Sequence, residues 1–430
     1  MKHSCSHHST ITYLGALLSF ISYYSPSVQA ASYQSSTTSA IELSNAGAGA
    51  AADTSNLANI AVNPAIIAAF SYPSITIAGI FVKPEKNVNG EHYSNGAAEA
   101  LDSSNIAENY IVPSAYFAFP INDKWSFGFA TFSNYNVRND YNTEYPAGML
   151  AGRRSLFTYE MNPNIAFKLT EDIYIGAGVS AIYSNYQLTT NYGAQNPTNP
   201  SQIYQDFNGT GLGFRFDLGM IYKINKYHQF GLAYRSASDI ETEGTFTTLA
   251  GNNDLIFQDT ATLSMAVPSE LTLSGVHQLD QRLSIQYSFA WYGWENLDSI
   301  SVSDPNCPAN SSFNLPQGQC LSESIDAEDS MKLAFAVNYK LNDVIWLRSG
   351  ASTETSTESA SFSMPFDKKT SFSFGLSYYA SRSLSFDIGL TYAKYESSRI
   401  KDTIGLDSFD VSTEGNSTML GLQLNYLLID

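Results

Sequence analysis

Few side chains in the 430-residue sequence combine the types and the spacing that catalysis requires. Three of the six histidines lie within the first ten residues, and the others are His92, His228 and His277. His92 falls in a predicted loop, and His228 and His277 fall at predicted turns, so none stands on a strand beside a serine. Neither a G-x-S-x-G nor an H-E-x-x-H motif occurs. We therefore predict that the protein is not an enzyme and uses no cofactor.

Two cysteines, Cys307 and Cys320, could form a cross-link or bind a metal ion. The stretch between them is rich in Pro, Asn, Ser and Gly, as in a surface loop. An even pair of cysteines in a secreted protein predicts a disulfide. A zinc site is the alternative, but it requires further His or Cys ligands, and none is near in the sequence. We predict the disulfide and no metal site.

Three arginines stand on segments in which apolar residues alternate with small or polar ones. By that alternation Arg215, Arg235 and Arg348 share the polar face. A guanidinium group on this face could hold a carboxylate ligand by a bidentate pair. The alternative is that the arginines form internal ion pairs, and the sequence favours this interpretation. The candidate partners are Asp217, Asp387, Glu42 and Asp53.

The composition excludes several classes of protein. The net charge is −18, which argues against a nucleic-acid binder, because such proteins need a basic face. Aromatic residues make up 13% of the chain, which rules out wholesale disorder. Only 14% of the residues are charged, against about 25% in an ordinary soluble protein. Something other than charged side chains must therefore cover the outside.

Residues 1–30 have the features of a secretory signal peptide. Lys2 precedes an apolar run from Ile11 to Ile21, and the segment ends in Ser27-Val28-Gln29-Ala30. We expect cleavage after Ala30. No run of 18 or more apolar residues follows, so a transmembrane helix is not expected.

Strict alternation marks many segments of the mature chain as strands with one apolar and one polar face. Leu333, Phe335, Val337 and Tyr339 alternate with small or polar residues, and the same pattern recurs in 371–378, 384–392 and 420–428. A soluble sandwich would bury the apolar faces between two sheets, whereas a membrane barrel turns them outward to lipid. The polar faces here are rich in Gly, Ser, Ala and Asn, which suits a crowded lumen. This favours an all-β transmembrane barrel.

The spacing of the turns predicts the number of strands. Six tight turns fall at 119–124, 167–172, 222–226, 277–281, 339–343 and 379–382. Long polar stretches separate them, at 136–155, 191–210, 239–259 and 301–329. The six turns join twelve strands, and an opening strand (74–82) and a closing strand (416–428) make fourteen. An even number of antiparallel strands closes a barrel without free edges.

Residues 31–73, which we call the plug segment, do not alternate. They are small, polar and Ala-rich, with breaks at Gly47, Gly49 and Pro64, and this predicts short helices and turns. About forty residues cannot form an independent core. We expect them to fill the lumen of a barrel formed by 74–430; a periplasmic extension is the alternative.

The sequence resembles the FadL family of outer-membrane long-chain fatty-acid transporters. The similarity begins in the plug segment with Ser44–Gly49, Asp53 and Asn63-Pro64-Ala65. It continues through Val112–Tyr135 and Met161–Tyr183, and also through 231–236, 291–294, 347–351 and 421–428. The resemblance implies a fourteen-stranded barrel with an N-terminal hatch. It also implies ligand capture by the loops, binding in the lumen, release by movement of the hatch, and lateral exit at a kinked third strand.

The resemblance assigns roles to particular positions. Tyr33 matches an aromatic residue that reaches the ligand pocket, and Trp294, which faces inward, could line it. Asn63-Pro64-Ala65, together with Glu42 and Asp53, belongs to the hatch and its gating. The kink of the third strand corresponds to Ser133, Asn134, Tyr135 and Asn136, where Asn136 stands in place of a possible Gly.

The partners that the resemblance implies are a hydrophobic ligand, outer-membrane lipid and lipopolysaccharide, for a monomer in the bacterial outer membrane. The basic residues that hold the fatty-acid carboxylate in the family have no counterpart at 184–186 (Ser-Asn-Tyr) or 300–302 (Ile-Ser-Val). A neutral alkane or aromatic hydrocarbon therefore remains an alternative cargo. A general porin is a further alternative, although it would require a charged constriction instead of an Ala/Gly-rich plug.

Overall fold

The computed structural model describes residues 37–94, 97–294, 299–310, 313–324, 328–355, 362, 368–404 and 407–429. The predicted signal peptide and Tyr33 lie outside these residues. Within them, no helix is both long enough and apolar enough to cross a membrane.

Twenty strands of the described residues form one antiparallel sheet that closes on itself, because the first strand pairs with the last over its whole length. In chain order they are β1 (Ser74–Ser94), β2 (Ala97–Ala100), β3 (Tyr110–Pro120), β4 (Trp125–Phe132), β5 (Asn136–Asp140), β6 (Arg153–Lys168), β7 (Ile173–Asn191), β8 (Ile203–Asn225), β9 (His228–Arg235), β10 (Ser238–Leu249), β11 (Leu255–Val267), β12 (Ser269–Gln278), β13 (Leu283–Gly293), β14 (Ser299–Ser303), β15 (Gln319–Ser324), β16 (Ser330–Lys340), β17 (Ile345–Glu354), β18 (Lys369–Tyr379), β19 (Leu384–Ile404) and β20 (Asp407–Leu427).

These strands fill fourteen positions around a barrel. Five positions each hold two successive strands: β4 with β5, β9 with β10, β11 with β12, β13 with β14, and β15 with β16. The short β2 is a side arm that pairs with β1. The predicted fourteen-stranded antiparallel barrel is confirmed.

The two faces of each strand lie where the alternation places them. On β16, Leu333 and Phe335 are 48% and 50% exposed on the outer surface, whereas Ala334 and Ala336 are buried against the lumen. Phe372 and Phe374 of β18 are likewise exposed outward. Lipid covers these apolar side chains in a membrane barrel.

The six predicted tight turns join consecutive strands at one end of the barrel, the periplasmic end by the rule that these turns are short. In each turn a side-chain oxygen accepts hydrogen bonds from the backbone N–H groups two and three residues later, which fixes the turn locally. The six residues are Asn122, Thr170, Asn225, Asp280, Asn342 and Ser381. Two such N–H groups lower the pKa of Asp280.

The strands at the extracellular end are longer than the sequence predicted. β1 continues to Ser94, and β20 begins at Asp407. The stretch 239–259, expected to be a loop, contains most of β10 and the start of β11. Backbone hydrogen bonds hold a ladder together without an apolar face, so strands extend past the lipid where the apolar pattern has ended.

The described part of the plug segment contains an α-helix, α1 (Ala40–Ser44), and two 3₁₀ helices at Leu57–Ala61 and Pro64–Ala69. Its side chains are almost all buried against the inner wall. Ser39, Asn56 and Asn63 cap the three helices with their side-chain oxygens. The barrel therefore encloses the described part of the plug segment.

Candidate functional site

Asn63 joins the plug segment to the barrel wall. Its Oδ1 accepts a hydrogen bond from the Ala65 N–H at 3.0 Å, which caps the 3₁₀ helix that begins at Pro64. Its Nδ2 donates to the Ala51 carbonyl at 2.6 Å and to the Met220 carbonyl of β8 at 3.1 Å. The Asn63-Pro64-Ala65 motif thus sets the path of the plug and tethers it to one strand.

The plug packs directly against wall positions that have no side chain. A Cβ placed on Gly231 of β9 would overlap the carbonyl oxygen of Ala51. Nothing lies within 4 Å of the same position on Gly79.

We expect Gly231→Ala to displace this part of the plug, since overpacking costs about 1–3 kcal/mol. Higher ion conductance in planar bilayers and a lower free energy of unfolding in detergent would show the displacement. Gly79→Ala is the control and should change neither quantity. Equal behaviour of the two variants would contradict the close packing at Gly231.

The two acids of the plug do not meet the lumen arginines. The Glu42 carboxylate accepts hydrogen bonds from the N–H and the hydroxyl of Thr38, at 2.9 and 2.8 Å. Asp53 accepts from the Ser55 N–H at 2.9 Å and from Gln286 Nε2 of β13 at 3.1 Å. Both carboxylates therefore hold the plug's own turns, and Asp53 also binds the wall.

Arg215 and Arg235 instead form a buried quartet with Glu160 and Glu270, which come from four different strands. Arg215 Nη2 lies 2.8 Å from Glu160 Oε1, and Arg235 Nη2 lies 2.6 Å from Glu160 Oε2. Arg215 Nη1 lies 3.2 Å from Glu270 Oε1. The candidate partners Asp217, Glu42 and Asp53 do not form these ion pairs, because Glu160 and Glu270 of the wall stand next to the two arginines. With two positive and two negative charges the quartet is neutral.

Removing one charge from this quartet should destabilise the barrel. Glu160→Gln leaves two fully buried guanidinium groups short of their partner, which costs about 3–5 kcal/mol of unfolding free energy. Urea titration in detergent would measure the loss. In the control, Glu85→Gln breaks an exposed pair with Lys83 and should have no measurable effect. If the Glu160→Gln variant were as stable as the native protein, water and not the carboxylate would compensate the charges of the two arginines.

Arg348 lies apart from the quartet, on β17 near the periplasmic end. Its Nη1 donates to Ser377 Oγ at 2.5 Å, and the Ser377 hydroxyl donates to Asp387. Asp387 was an expected partner and is reached through this serine. Ligand binding by Arg215, Arg235 or Arg348 stays a prediction.

The third barrel position is interrupted at the residues that the resemblance singles out. β4 ends at Phe132 and β5 begins at Asn136, so Ser133, Asn134 and Tyr135 belong to neither strand. None of the four residues has a positive φ, so the interruption does not depend on glycine at position 136. Asn136 Nδ2 donates to Ser133 Oγ at 2.9 Å and ties the two ends of the break together.

A gap in the barrel wall accompanies this break. The ladder between β3 and the third position ends at the pair Ala115–Thr131 and resumes only as an isolated bridge between Ala107 and Asn139. On the other side β6 stays paired with both β4 and β5. The hydrogen-bonded ladder is therefore interrupted between β3 and the third barrel position, and we call this unpaired stretch the wall gap.

Tyr135 connects the gap to the buried quartet. Its side chain is fully buried, and its hydroxyl lies 3.2 Å from Glu270 Oε1 and 3.4 Å from Arg215 Nη1. The Tyr135 carbonyl accepts a hydrogen bond from the Thr158 N–H of β6 at 3.1 Å. The break is thus held in one arrangement by contacts inside the barrel.

Three lysines line a cavity between the plug and this gap. They are Lys86 of β1, Lys332 of β16 and Lys369 of β18. Apolar lining comes from Leu43, Val82, Val137 and Met419. Lys369 Nζ pairs with Glu354 at 2.9 Å, and Lys86 Nζ lies 3.5 Å from Asn139 Oδ1. The cavity combines positive charge with apolar walls, as an amphiphilic anion requires.

The plug makes room for one of these lysines. Gly47 has a φ of +87°, and a Cβ there would lie 2.8 Å from Lys332 Nζ. A side chain at this position would be strained by the backbone and would meet the ammonium group.

A larger cleft of about 430 Å³ opens among the extracellular loops. Tyr192, Tyr204, Phe246 and Phe257 give it aromatic walls, and the loop between Cys307 and Cys320 closes one side. The structure joins these cysteines by a disulfide with 5.3 Å between their Cα atoms. Asn310 of the same loop donates to the Tyr204 hydroxyl at 2.7 Å. The volume falls in the range of about 300–1,000 Å³ of small-molecule sites.

Trp294 is buried in an apolar cluster with Tyr292, Ile300 and Val302 near the end of β13. Only 2% of its surface is exposed, and its contact with a ligand stays a prediction. The three lysines were missed, although the alternation did place Lys332 on the polar face. Nothing local in the sequence shows that Lys86 and Lys369 meet it.

A closed antiparallel barrel with an apolar outer surface and its own N-terminal segment packed inside is the architecture of an outer-membrane protein. The chain belongs to the family described as outer membrane protein transport protein (OMPP1/FadL/TodX), whose sequence model matches residues 21–428. The predicted family and the outer-membrane location are confirmed.

Relatives and solved structures agree with this assignment. The chain is 27% identical to outer membrane protein P1 of Haemophilus influenzae, over 92% of this chain and 95% of that one. It is 25% identical to the long-chain fatty acid transport protein of Escherichia coli, over 88% and 90%. A FadL homologue from Pseudomonas aeruginosa has a similar fold, with a TM-score of 0.82 and 17% identity over 93% and 100% of the chains. The toluene transporter TodX of P. putida gives 0.67, with 15% identity over 91% and 99%.

Proposed function

We propose that the protein takes up long-chain fatty acids, or similar hydrophobic molecules with an anionic head, from outside the cell into the outer membrane. The lysine-lined cavity beside the wall gap is the observation that carries this proposal. A carboxylate placed among Lys86, Lys332 and Lys369 gains charge-assisted hydrogen bonds, while the alkyl chain contacts Leu43, Val82 and Met419. The named function of the E. coli relative supports the same substrate class.

The path begins at the aromatic cleft among the extracellular loops. Apolar cargo leaves water at the surface of Tyr192, Phe246 and Phe257, since burial of apolar area drives binding. The disulfide between Cys307 and Cys320 keeps the loop that closes the cleft in place. The ligand then moves from the cleft to the lysine-lined cavity.

Movement of the plug segment admits the ligand and releases it. The cavity holds only about 80 Å³, well below the volume of a long-chain ligand site. Thr37, the first described residue of the plug segment, lines this cavity, so a shift of Thr37 would widen it. A role for Tyr33, which lies outside the described residues, in this movement is part of the proposal. Processing after residue 30, a plug of residues 31–73 and a barrel of 74–430 are parts of this proposal, as is action as a monomer without a catalytic step.

The ligand leaves sideways between β3 and the break at Ser133–Asn136. This exit leads directly into lipid and needs no energy source, because an alkyl chain partitions into the membrane. Lipopolysaccharide surrounds the extracellular loops and is the barrier that this route avoids.

A neutral hydrocarbon is the second candidate cargo. The apolar walls of the extracellular cleft favour it, and solved neighbours with the same fold are described as toluene transporters. A neutral hydrocarbon has no group that could accept a hydrogen bond from the lysines, and for this reason we prefer the fatty acid as cargo.

Oleate uptake by a deletion strain complemented with this protein tests the proposal. We expect the intact protein to restore growth on oleate. In a version that lacks residues 31–70, we expect the ligand no longer to control whether the lumen is open. Equal oleate uptake with and without the protein would remove the fatty-acid assignment, and faster entry of toluene alone would favour the hydrocarbon. High ion conductance of the intact protein would instead indicate a porin.

A further inference from the structure

His228 and His277 face each other across the pair of strands β9 and β12. Their Nδ1 atoms lie 3.1 Å apart, and their ring centroids lie 5.2 Å apart. They are direct cross-strand partners. The Gln278 N–H donates to the Tyr227 carbonyl, so the next pair along, His277–His228, is the non-hydrogen-bonded kind, in which side chains stand closest.

The histidine pair lies on the outer surface, at the periplasmic end of the barrel. His228 has the same parity on β9 as the exposed Leu232, and His277 has the same parity on β12 as the exposed Leu273. Both rings lie next to tight turns at the periplasmic end, away from the lysine-lined cavity and the extracellular cleft. The proposed transport therefore does not use them.

The spacing of the two nitrogens is that of two ligands on one metal ion. With Zn–N bonds of about 2.0–2.1 Å, two nitrogens lie about 2.9 Å apart at a right angle and about 3.3 Å apart at the tetrahedral angle. The observed 3.1 Å falls between these values. Without a metal, the same distance is an N–H···N hydrogen bond from one neutral ring to the other.

Tyr287 of β13 supplies the outer partner that histidine ligands usually have. Its hydroxyl lies 3.3 Å from Nε2 of His277. If Nε2–H donates to the tyrosine, the lone pair of His277 Nδ1 points toward His228. The edge of the Phe230 ring packs against His277 and limits its rotation, with 5.4 Å between the centroids.

We propose that His228 and His277 form a binding site for a divalent transition-metal ion of the imidazole-preferring class, Cu²⁺ or Zn²⁺. The metal takes both Nδ1 lone pairs, and His228 moves its proton from Nδ1 to Nε2 on binding. No cluster of three or more His, Cys, Asp or Glu side chains suited to a metal occurs among the described residues, so water completes the coordination. The site is therefore open and exchangeable, with Cu²⁺ bound more tightly than Zn²⁺.

Bound metal would cross-link β9 and β12 beside their turns. It would act next to Gln229, whose Nε2 donates to the Ala52 carbonyl of the plug at 2.9 Å. Because the ion binds the folded barrel and not the separated strands, it should raise the unfolding temperature.

Metal titration of the purified mature protein in detergent, prepared without a polyhistidine tag, tests the proposal. Calorimetry with Zn²⁺ should give one site, and the Cu²⁺ EPR spectrum should show coupling to two imidazole nitrogens. His228→Gln and His277→Gln should each weaken binding at least about tenfold, and Tyr287→Phe should weaken it about tenfold while keeping both nitrogens. His92→Gln removes the other histidine of the mature chain and should change nothing.

Several results would overturn the site. These are no Zn²⁺ or Cu²⁺ binding by the native protein, binding that survives in the His228→Gln/His277→Gln double variant, or binding lost in His92→Gln. Heat-modifiable gel mobility shows whether each variant is folded. If a histidine variant does not fold, the site is still tested by two measurements. These are the EPR coupling of Cu²⁺ to imidazole nitrogens in the native protein and the metal affinity of the Tyr287→Phe variant.

Discussion

A disulfide across the wall gap is expected to abolish uptake of the ligand. If the ladder from Ala115–Thr131 continued, Val112 of β3 would face Asn134 at the break, and both side chains are buried toward the lumen. A bond between Val112→Cys and Asn134→Cys can form only when the two strands approach. It therefore traps the closed wall and leaves the loop cleft and the lysine-lined cavity in place.

The measurement is uptake of labelled oleate in cells, before and after oxidation. We expect uptake to fall to the level of the deletion strain and to recover with a reducing agent. The native protein, treated in the same way, controls for reduction of the Cys307–Cys320 bond. The pair Phe117→Cys/Phe129→Cys, which face each other in the existing ladder, is a matched cross-link that should leave uptake unchanged. Full uptake through a barrel shown by mass spectrometry to be cross-linked would rule out this exit.

Loss of the cavity lysines is expected to weaken oleate binding strongly. Lys86→Gln/Lys332→Gln removes two of the three amino groups and leaves Lys369 with its partner Glu354. A charge-assisted hydrogen bond contributes about 1.5–3 kcal/mol, so even one lost contact weakens binding by about 10–150-fold. Methyl oleate, which has the same chain without the charge, should bind both proteins alike.

Calorimetry in detergent with both ligands makes the comparison. Lys124→Gln/Lys226→Gln removes two exposed charges at the periplasmic turns and serves as the control. If oleate binds the cavity variant as tightly as the native protein, the lysines do not hold the head group. If both ligands weaken equally, the substitutions damage the cavity in general and the anionic specificity is wrong.

The sequence by itself determined the class of fold. The alternation around Leu333 and Phe335 decided which face meets lipid, because side chains of a strand point to opposite sides with a period of two. Asn122, Asp280 and Asn342 decided where chains reverse, because their side chains bond the backbone of the same turn. Both signals are local, and counting the turns was enough to give fourteen strands.

The lengths of the strands were harder to predict from the sequence than their number. The polar residues of 239–249, 255–259 and 83–94 carry no apolar period, yet they pair as strands beyond the lipid. Their partners across the ladder supply the hydrogen bonds, and these partners are remote in the sequence.

Only the tertiary structure decided which polar side chains meet inside and outside the barrel. Glu160, Arg215, Arg235 and Glu270 share one quartet, and the plug acids, which the sequence offered as partners, bind elsewhere. Lys86 and Lys369 join Lys332 around one cavity, and His228 meets His277 although 49 residues separate them. The closure of the barrel and the stagger of its strands determine these contacts. Contacts between distant strands depend on the register of every strand pair around the barrel and not on any local sequence pattern.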